Sequence, residues 1–467
     1  MSALPMPDNE GELQALTDPT QQPPPTVWSR RNVRWTVLGA GGLLLILAAI
    51  VTIRAISLNP YWVETTDIGI YITAARAMLQ GESPYTQATI AEGLRFGYVY
   101  PPMLALILTI PISIFGDTAT RWLWSGATAL AFATSLVLLL RNFGPPVSWP
   151  LVILILGIAF NTRAVRVNVY HGQLDPFLLV LFIIGLQLLR ANRLVGAGFA
   201  TGTMIVVKPF LGIVAVWLFL AGAIAVSALS VVIAGALFAL SFVPTLGHGL
   251  EVFGGWLQAS RYATSLPFVA FLDNHSLNGL YARAFSETQF AEPWIVSSYA
   301  WPVLSAVTLA ALAAIVVVTV PRWTVRRSLA AEDGLILLVE ASIILALIMS
   351  FGPLMEGNHL LFFLPAAIGS FRLAWLERGR GTRIWTPAAV VWGLFIVVNL
   401  SPVLALVSTN PGLVPEHVGG IALLWTWRVG ALVLIAALLS ARALRHHHAR
   451  VDGALHASPI APEPLSV

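Results

Sequence analysis

Apolar runs long enough to cross a bilayer recur along this chain from Trp35 to the region of Arg442. Each run holds about 17 to 22 residues, the length at which an α-helix covers roughly 30 Å of hydrocarbon. Hydrophobic residues make up 57% of the chain and charged residues only 10%, so its surface could not be solvated on all sides. Because the sequence lacks the alternation typical of barrel strands, we predict an all-α polytopic membrane protein.

Basic residues between the apolar runs predict how the chain is oriented. Arginines at 30–34 flank the first run, and later clusters lie at 322–327, 372–383 and 442–448. Because basic residues concentrate in cytoplasmic loops, all these groups should lie on the cytoplasmic side, together with both termini. We therefore predict disordered cytoplasmic tails at 1–33 and 446–467, a membrane domain at 34–445, and external loops at 57–100 and 245–298.

Two apolar segments are unsuited to a single full crossing. Termini on the same side require an even number of crossings, whereas a simple count gives about thirteen runs, so we expect about twelve crossings. The short segment 100–115 contains three prolines, which favours a re-entrant or broken helix. In the segment 194–220, Lys208-Pro209 predicts a break between two half-helices, because an unpaired lysine deep in the bilayer is unfavourable. This break would put Lys208 at the external membrane edge.

With this topology, unusual polar residues from distant parts of the sequence gather at the external membrane edge. They are Asp67, Tyr71, Arg163, Arg166, His171, Gln173, Asp175, Lys208, Asn274, His275, Arg283, Asn358 and His359. Ionisable residues at membrane depth are rare and mark sites of binding or catalysis. A carboxylate facing several cations and histidines fits a lipid-linked phosphate substrate. The sequence contains no cysteine, which excludes a disulfide or a thiol nucleophile, and it shows no carboxylate cluster that predicts a metal site.

Each of these residues also has a simpler structural interpretation. Asp67 precedes a helical stretch and can cap it, and Lys208 can snorkel at a helix break. The histidines and arginines of the set can be hydrogen-bonded residues at helix ends and interfacial anchors. The sequence does not decide which of Arg163 and Arg166 points inward. A secondary transporter would also be polytopic, but its charges should lie near the midplane in two related halves, and the sequence shows no internal repeat.

Several short motifs occur in a distinctive order between Thr66 and Leu364. They are Asp67 with Tyr71, Gly81 and Tyr85, then Tyr100-Pro101-Pro102, His171-Gly172-Gln173, Lys208-Pro209, Asn274-His275 with Arg283, and Asn358-His359. This order resembles glycosyltransferase family 87, within the GT-C superfold. Two positions depart from the pattern, since many members carry a glutamine at the place of His275 and a histidine pair at the place of Asn358-His359.

The resemblance implies a GT-C type bundle of about 12 transmembrane helices, with external loops and short juxtamembrane helices. It implies an inverting glycosyltransferase that moves a sugar, in the first place mannose, from a polyprenyl monophosphate carrier to a glycolipid or glycan acceptor at the outer face of the plasma membrane. A polyprenyl-phosphate-arabinose-dependent arabinofuranosyltransferase is the alternative within the family, and a polytopic transporter is the alternative outside it. The resemblance implies no cofactor, no metal and no nucleic-acid partner.

Sugar transfer gives individual residues roles under this resemblance. Asp67 is the predicted general base, which accepts the proton of the acceptor hydroxyl as the bond to C1 of the sugar forms. Lys208 and His359, with one of the two arginines in 163–166, are predicted to stabilise the phosphate as negative charge grows on it. The residues predicted to bind other parts of the substrates are Tyr71, His171, Gln173, Asn274, His275 and Arg283.

Overall fold

The computed structural model describes residues 31–58, 66–85, 97–243, 248–319, 334–352, 354–378, 383–399 and 418–457. The α-helices are α1 (Arg31–Leu58), α2 (Asp67–Leu79), α3 (Met103–Asn142), α4 (Trp149–Phe160), α5 (Arg163–His171), α6 (Asp175–Arg190), α7 (Leu194–Val207), α8 (Gly212–Leu220), α9 (Ile224–Leu240), α10 (Gly249–Ala263), α11 (Leu266–Val269), α12 (Leu277–Phe285), α13 (Ala300–Thr319), α14 (Gly334–Phe351), α15 (Leu364–Glu377), α16 (Thr386–Asn399), α17 (Ala422–Thr426) and α18 (Arg428–Ala457). Short 3₁₀ helices form at Pro209–Leu211 and Gly357–Phe363. The predicted all-α class is confirmed for the described residues.

Five stretches of the described chain are long and apolar enough to cross a membrane. They are α1, α3, α14, α18 and the continuous helical segment Gly357–Glu377, which includes α15. The pair α5 and α6, bent by 110° at a short break, is a sixth if it forms one span. Shorter apolar helices, among them α4, α7, α9 and α16, accompany these spans. The chain is therefore a helical membrane protein, and the number of about twelve crossings stays a prediction.

The break predicted at Lys208 is present, whereas in the segment 100–115 the helix continues through Pro111 and is interrupted only at Gly116, just after that segment. Inside α3, Gly116 has φ 73° and ψ 175°, so the backbone is not helical there. The preceding part of α3 is only about 20 Å long at 1.5 Å per residue, which is too short for a full crossing. Lys208 has an extended backbone between α7 and the 3₁₀ turn that begins at Pro209. The segment 194–220 thus forms two half-helices, as Lys208-Pro209 predicted.

Helix α14 forms the centre of the bundle, because 89% of its apolar stretch is buried within the protein, compared with 11% for α1. Its end at Phe351 leads into the segment 354–359, and α15 begins soon afterwards. Helices α2 and α6 begin at the same polar end of the bundle, with Asp67 and Asp175 as their first residues. Packing around α14 therefore fixes the ends of α2 and α6, where Asp67 and Asp175 lie.

A pair of glycines lets α7 and α9 pack closely. Gly198 and Gly202 are spaced as in the small-xxx-small pattern that allows membrane helices to approach each other. A Cβ atom at Gly202 would lie 2.7 Å from the carbonyl oxygen of Ser230 and 2.9 Å from the Cβ of Ile233. Because Lys208 directly follows the last residue of α7, this contact also sets the position of the lysine.

The predicted boundaries at the two termini stay a prediction. Residues 1–30 and 458–467 lie outside the described part of the chain, as do 322–327 and Arg380 of the predicted cytoplasmic clusters. Helix α18 continues past residue 445 to Ala457, within the range predicted as a disordered tail. The reason is local, since no proline occurs before Pro459, and basic side chains near a helix C-terminus are favourable.

Replacing Gly202 by alanine is expected to lower the free energy of unfolding by about 1 to 3 kcal/mol, because the added methyl group collides with backbone of α9. Thermal unfolding of the purified protein in detergent measures the effect. The control is Gly235→Ala within α9, where a Cβ atom meets nothing within 4 Å. Equal midpoints for Gly202→Ala and the wild type would contradict the close packing of α7 on α9.

Candidate active site

Distant segments of the sequence meet at the polar end of the bundle. Asp67 begins α2, His171 and Gln173 lie at the bend between α5 and α6, and Lys208 lies at the break after α7. The loop before α12 contributes His275, and the 3₁₀ helix Gly357–Phe363 contributes His359. The contacts described below join all of these predicted residues in one network.

Asp67 lies at the edge of this network with its carboxyl group partly exposed. The Nε2 of Gln173 donates a hydrogen bond of 2.6 Å to Oδ2 of Asp67, and Nδ1 of His171 lies 3.5 Å from the same oxygen. The N-cap of α2 is Thr66, so Asp67 is the first residue inside the helix. Burial raises the pKa of the Asp67 carboxyl, although the charges of His171 and Lys208 oppose the rise. A raised pKa strengthens an ionised carboxylate as a base.

The motif His171-Gly172-Gln173 forms the turn that surrounds Asp67. Gly172 ends α5 in the left-handed conformation, with φ 67° and ψ 40°. A Cβ atom there would lie 2.8 Å from the Cβ of Ile68, the residue that follows Asp67. Trp124 also donates a hydrogen bond of 2.7 Å to the Gly172 carbonyl. Only glycine therefore lets this turn pack against the start of α2 and place His171 and Gln173 beside the carboxylate.

Lys208 forms a buried ion pair with Asp175. Its Nζ lies 2.5 Å from Oδ1 of Asp175, and the two side chains are 4% and 0% exposed. Oδ2 of Asp175 is buried without a hydrogen-bond partner among the described residues. The ring of Tyr100 lies beside the ammonium group, with its centroid 5.9 Å from Nζ. The pair keeps a positive charge at the helix break, inside the protein but close to Asp67.

His359 faces Lys208 with a ring nitrogen that acts as a donor. The backbone N–H of Glu356 donates a hydrogen bond of 3.2 Å to Nδ1 of His359, and the Glu356 side chain accepts from the backbone N–H of His359. Because Nδ1 accepts, a neutral His359 carries its proton on Nε2. That Nε2 lies 3.3 Å from Nζ of Lys208. The Lys208 ammonium group and the His359 ring thus lie side by side, at a position that suits an anion.

A second polar group, centred on Asp273, lies next to the first. Nη2 of Arg163 lies 2.6 Å from Oδ1 of Asp273, and Nε2 of His275 lies 3.3 Å from the same oxygen. The backbone N–H of Gly357 donates to Oδ2 at 3.3 Å. Burial alone would raise the pKa of the Asp273 carboxyl, but Arg163 and His275 bring it below its usual range. Asp273 is therefore an anion that fixes the orientation of Arg163.

Four tyrosines form a cluster behind Lys208. Tyr71 is fully buried, and its hydroxyl donates to the hydroxyl of Tyr100 at 3.3 Å. Tyr85 donates to the backbone carbonyl of Tyr100, and Tyr98 donates to the carbonyl of Pro101. Burial raises the pKa of Tyr100 to about 12, so its hydroxyl keeps its proton and can donate a hydrogen bond. The predicted residue Tyr71 thus contacts the site through Tyr100.

The side chains of Asn274 and Arg283 form hydrogen bonds with backbone groups. Oδ1 of Asn274 accepts from the N–H groups of Ser276 and Met355, which joins the loop before α12 to the segment 354–359. Arg283 is fully buried and donates to the carbonyls of Phe271 and Asn274. These two predicted binding residues shape the loop that carries Asp273. Arg166, also predicted to bind substrate, is half-buried one turn after Arg163 on α5.

Sequence reasoning missed several groups that the fold brings to the site. Asp273 and Glu356 were not singled out, although each lies within three residues of a predicted histidine. Asn168 was also missed, and it donates to the carbonyl of Asn358 at 2.9 Å, which ties α5 to the 3₁₀ helix. Arg428, the first residue of α18, lies close to Arg163 and Asp273. The two acids could have been found from their position next to Asn274-His275 and Asn358-His359 in the sequence.

Glu356 is an acid of the site with a strongly raised pKa. Burial and the neighbouring carboxylates of Asp67 and Asp273 raise its pKa from 4.5 to about 8. Glu356 is therefore mostly protonated near neutral pH, when its hydroxyl can donate a hydrogen bond. The stabilisation from its raised pKa is complete below pH 4.5 and is lost as the pH rises through about 8.

Replacing Glu356 by glutamine is expected to remove this dependence. Between pH 4.5 and about 8, the thermal midpoint of the wild type should fall relative to that of Glu356→Gln, because Glu356 ionises in the unfolded chain but keeps its proton in the folded protein. Thermal unfolding in detergent at a series of pH values measures the difference, with Glu82→Gln at an exposed position as the control. Parallel pH curves for the wild type and Glu356→Gln would contradict the raised pKa.

Comparison with protein families identifies the family of the chain. The family model described as glycosyltransferase family 87 matches residues 98–350, which is more than half of the 467 residues of the chain. The matched range contains the α5–α6 bend, Lys208 and Asp273, whereas Asp67 and Glu356 lie outside it and join it through the contacts above. No curated protein matches the chain. The chain belongs to glycosyltransferase family 87, and its activity is glycosyl transfer between a sugar donor and an acceptor at a membrane.

Proposed function

We propose that this protein is an inverting glycosyltransferase that uses a polyprenyl monophosphate carrier as its sugar donor. The sugar is mannose, and the acceptor is a glycolipid or glycan at the outer face of the plasma membrane. The observation that carries the proposal is the position of the Asp67 carboxylate, which lies close enough to Lys208 for the charge of the lysine to lower its pKa, while Lys208 contacts His359. A base on one side and an anion site on the other are what a displacement at C1 of a sugar phosphate requires.

The proposed phosphate position lies between Lys208 and His359. A phosphate oxygen there would accept from Nζ of Lys208 and from Nε2 of His359, which would relieve the close approach of two donors. Tyr100 lies beside Lys208 with its proton in place and can add a neutral donor. As the bond from C1 to the phosphate oxygen lengthens, negative charge grows on the phosphate. These donors then stabilise the transition state more than the ground state.

Asp67 accepts the proton in the proposed reaction. The oxygen of the acceptor hydroxyl bonds to C1 while the C1–oxygen bond to the phosphate breaks, and the bonding pair leaves with the phosphate. The hydroxyl proton moves to Oδ1 or Oδ2 of Asp67. The raised pKa of Asp67 suits this step, since a carboxylate with an ordinary pKa near 4 is a weak base. Gln173 and His171 hold the carboxylate in position.

The remaining groups position the substrates in this proposal. A protonated Glu356 can donate a hydrogen bond to the sugar or the phosphate without adding charge. Arg163, held by Asp273 and His275, is the cation for the outer part of the acceptor site, with Arg166 beside it on α5. Asn274 and Arg283 act indirectly, because they fix the loop that carries Asp273. The proposed reaction calls for no cofactor, because the phosphate is itself a suitable leaving group.

The proposed topology places the polar end of the bundle outside and both termini in the cytoplasm. It is supported by the basic residues at the opposite end, including Arg190 and Arg372, because such residues concentrate in the cytoplasm. The polar groups also cluster at one end of the helices. A transporter would instead need its charges near the midplane between two related halves. The clustering therefore favours an enzyme that acts on lipid-linked substrates at one membrane surface.

The test is a transfer assay with the purified protein in lipid nanodiscs. Radiolabelled polyprenyl-phosphate-mannose and extracted membrane glycolipids are the substrates, and labelled glycolipid is measured. The wild type is expected to transfer mannose, and Asp67→Asn to lower the rate by about 10² to 10⁴-fold while still binding the donor. The matched control is Asp117→Asn, because Asp117 pairs with exposed Arg76 away from the site.

Each result of this assay bears on a separate part of the proposal. Normal transfer by Asp67→Asn would exclude Asp67 as the base. Transfer from a nucleotide sugar, with none from any polyprenyl phosphate sugar, would exclude the proposed donor class. Transfer from polyprenyl-phosphate-arabinose alone would replace mannose by the alternative sugar and leave the class of donor unchanged.

A further inference from the structure

A large cavity lies at the end of the bundle opposite the candidate active site. Its volume is about 660 Å³, and it lies between the last turn of α3, the loop to α4, the end of α6, the start of α14 and the middle of α15. Helix α6 connects the two ends directly, because Asp175 at its start pairs with Lys208 and Arg190 at its end lines the cavity. At 1.5 Å per residue, the 16 residues of α6 separate them by about 24 Å.

Three arginines from different helices line this cavity. They are Arg141 from α3, Arg190 from α6 and Arg372 from α15. Within the described part of the chain, none of the three forms an ion pair with an acid. Arg141 donates to the carbonyl of Val147, and Nη1 of Arg372 is buried without a hydrogen-bond partner. Guanidinium groups stay charged in proteins, so three positive charges that share one cavity are unfavourable unless an anion balances them.

Aromatic residues place the cavity at the membrane surface. The guanidinium of Arg141 lies 3.8 Å from the ring centroid of Trp149, and that of Arg372 lies 4.8 Å from the ring centroid of Trp375. Both tryptophans have exposed rings, at 58% and 45%. Tryptophans of membrane proteins are enriched at the level of the lipid head groups. The arginines therefore face the layer where lipid phosphates are found, next to an exposed apolar surface.

We propose that this cavity binds the phosphate-bearing head group of an anionic phospholipid in the leaflet opposite the active site. Basic pockets between membrane helices on the cytoplasmic side bind such head groups, and Arg binds phosphate with paired donors. Arg372, which lines the cavity, supplies one guanidinium group, and the exposed side chains of Arg141 and Arg190 supply the others. Acyl chains would lie against the apolar surface beside Trp149 and Trp375. A soluble phosphate compound would make no use of that surface.

Such a lipid would join helices that are distant in the sequence. Its phosphate would contact α3, α6 and α15 at once, and α6 and α15 both lead to the active site. A ligand that binds only the folded protein stabilises it by mass action. The inference does not depend on sugar transfer, because none of its residues belongs to the proposed catalytic site.

Native mass spectrometry of the full-length protein in detergent tests the proposal. Phosphatidylglycerol and phosphatidylcholine with identical acyl chains are added separately, and the bound fraction is measured. We expect phosphatidylglycerol to bind preferentially and to raise the thermal midpoint. The double variant Arg190→Gln with Arg372→Gln should bind it at least about tenfold more weakly. The control is Arg193→Gln, which removes an exposed arginine near the end of α6 that does not line the cavity and should change binding less than about twofold.

Several outcomes would overturn the proposal. Equal binding of the two lipids by the wild type would do so, as would an equal loss in Arg193→Gln and the double variant. Inorganic phosphate is the third arm, and displacement of the lipid by millimolar phosphate would assign the cavity to a soluble anion. Should the double variant fail to fold, Arg372→Gln alone and the salt dependence of the wild-type thermal shift replace it. A thermal shift that does not weaken in high salt would then contradict a charge-based site.

Discussion

The buried ion pair between Lys208 and Asp175 is the interaction on which the site depends. Both side chains are almost completely enclosed, and their charged atoms lie 2.5 Å apart. Removing either partner would leave a buried charge uncompensated, which typically costs about 3 to 5 kcal/mol. The pair also joins α6 to the break after α7, where Pro209 prevents the helix from continuing. The pair thus fixes the ammonium group of Lys208 at the break between the two half-helices.

The segment 354–359 links the two polar groups of the site. Glu356 and His359 bond to each other and bring the His359 ring to Lys208, while Gly357 donates to Asp273 on the other side. A change in either polar group would therefore shift the backbone of the segment 354–359, which also supports the other group.

Much of this arrangement could be predicted from the sequence, because the membrane imposes strong rules. Apolar run lengths indicated helices, and Lys208-Pro209 indicated the break that the structure contains. The motif His171-Gly172-Gln173 was recognised, but its reason, a left-handed turn packed against Ile68, is visible only in three dimensions. Asn274 and Arg283 were predicted to bind substrate, which stays a prediction, and the structure shows that both also form hydrogen bonds with backbone groups. Whether a polar side chain faces a ligand or its own backbone depends on loop geometry, which local sequence does not determine.

Asp273 and Glu356 are site residues that were not predicted from the sequence. An acid next to a predicted histidine is common, and only the fold reveals that these two converge with Asp67 and Asp175. The raised pKa of Glu356 is a property of this convergence and of burial, not of the glutamate itself. The number of crossings is also undetermined by run length alone, because short apolar helices such as α4 and α16 can cross, tilt or re-enter.

The central claim is that Lys208 and His359 hold the phosphate of a lipid-linked sugar within reach of Asp67. Its most direct test is a structure of the protein determined with a bound polyprenyl-phosphate-sugar. We expect phosphate oxygens within about 3 Å of Nζ of Lys208 and Nε2 of His359, with C1 of the sugar on the side of the Asp67 carboxylate. A phosphate bound elsewhere, or a sugar turned away from Asp67, would contradict it.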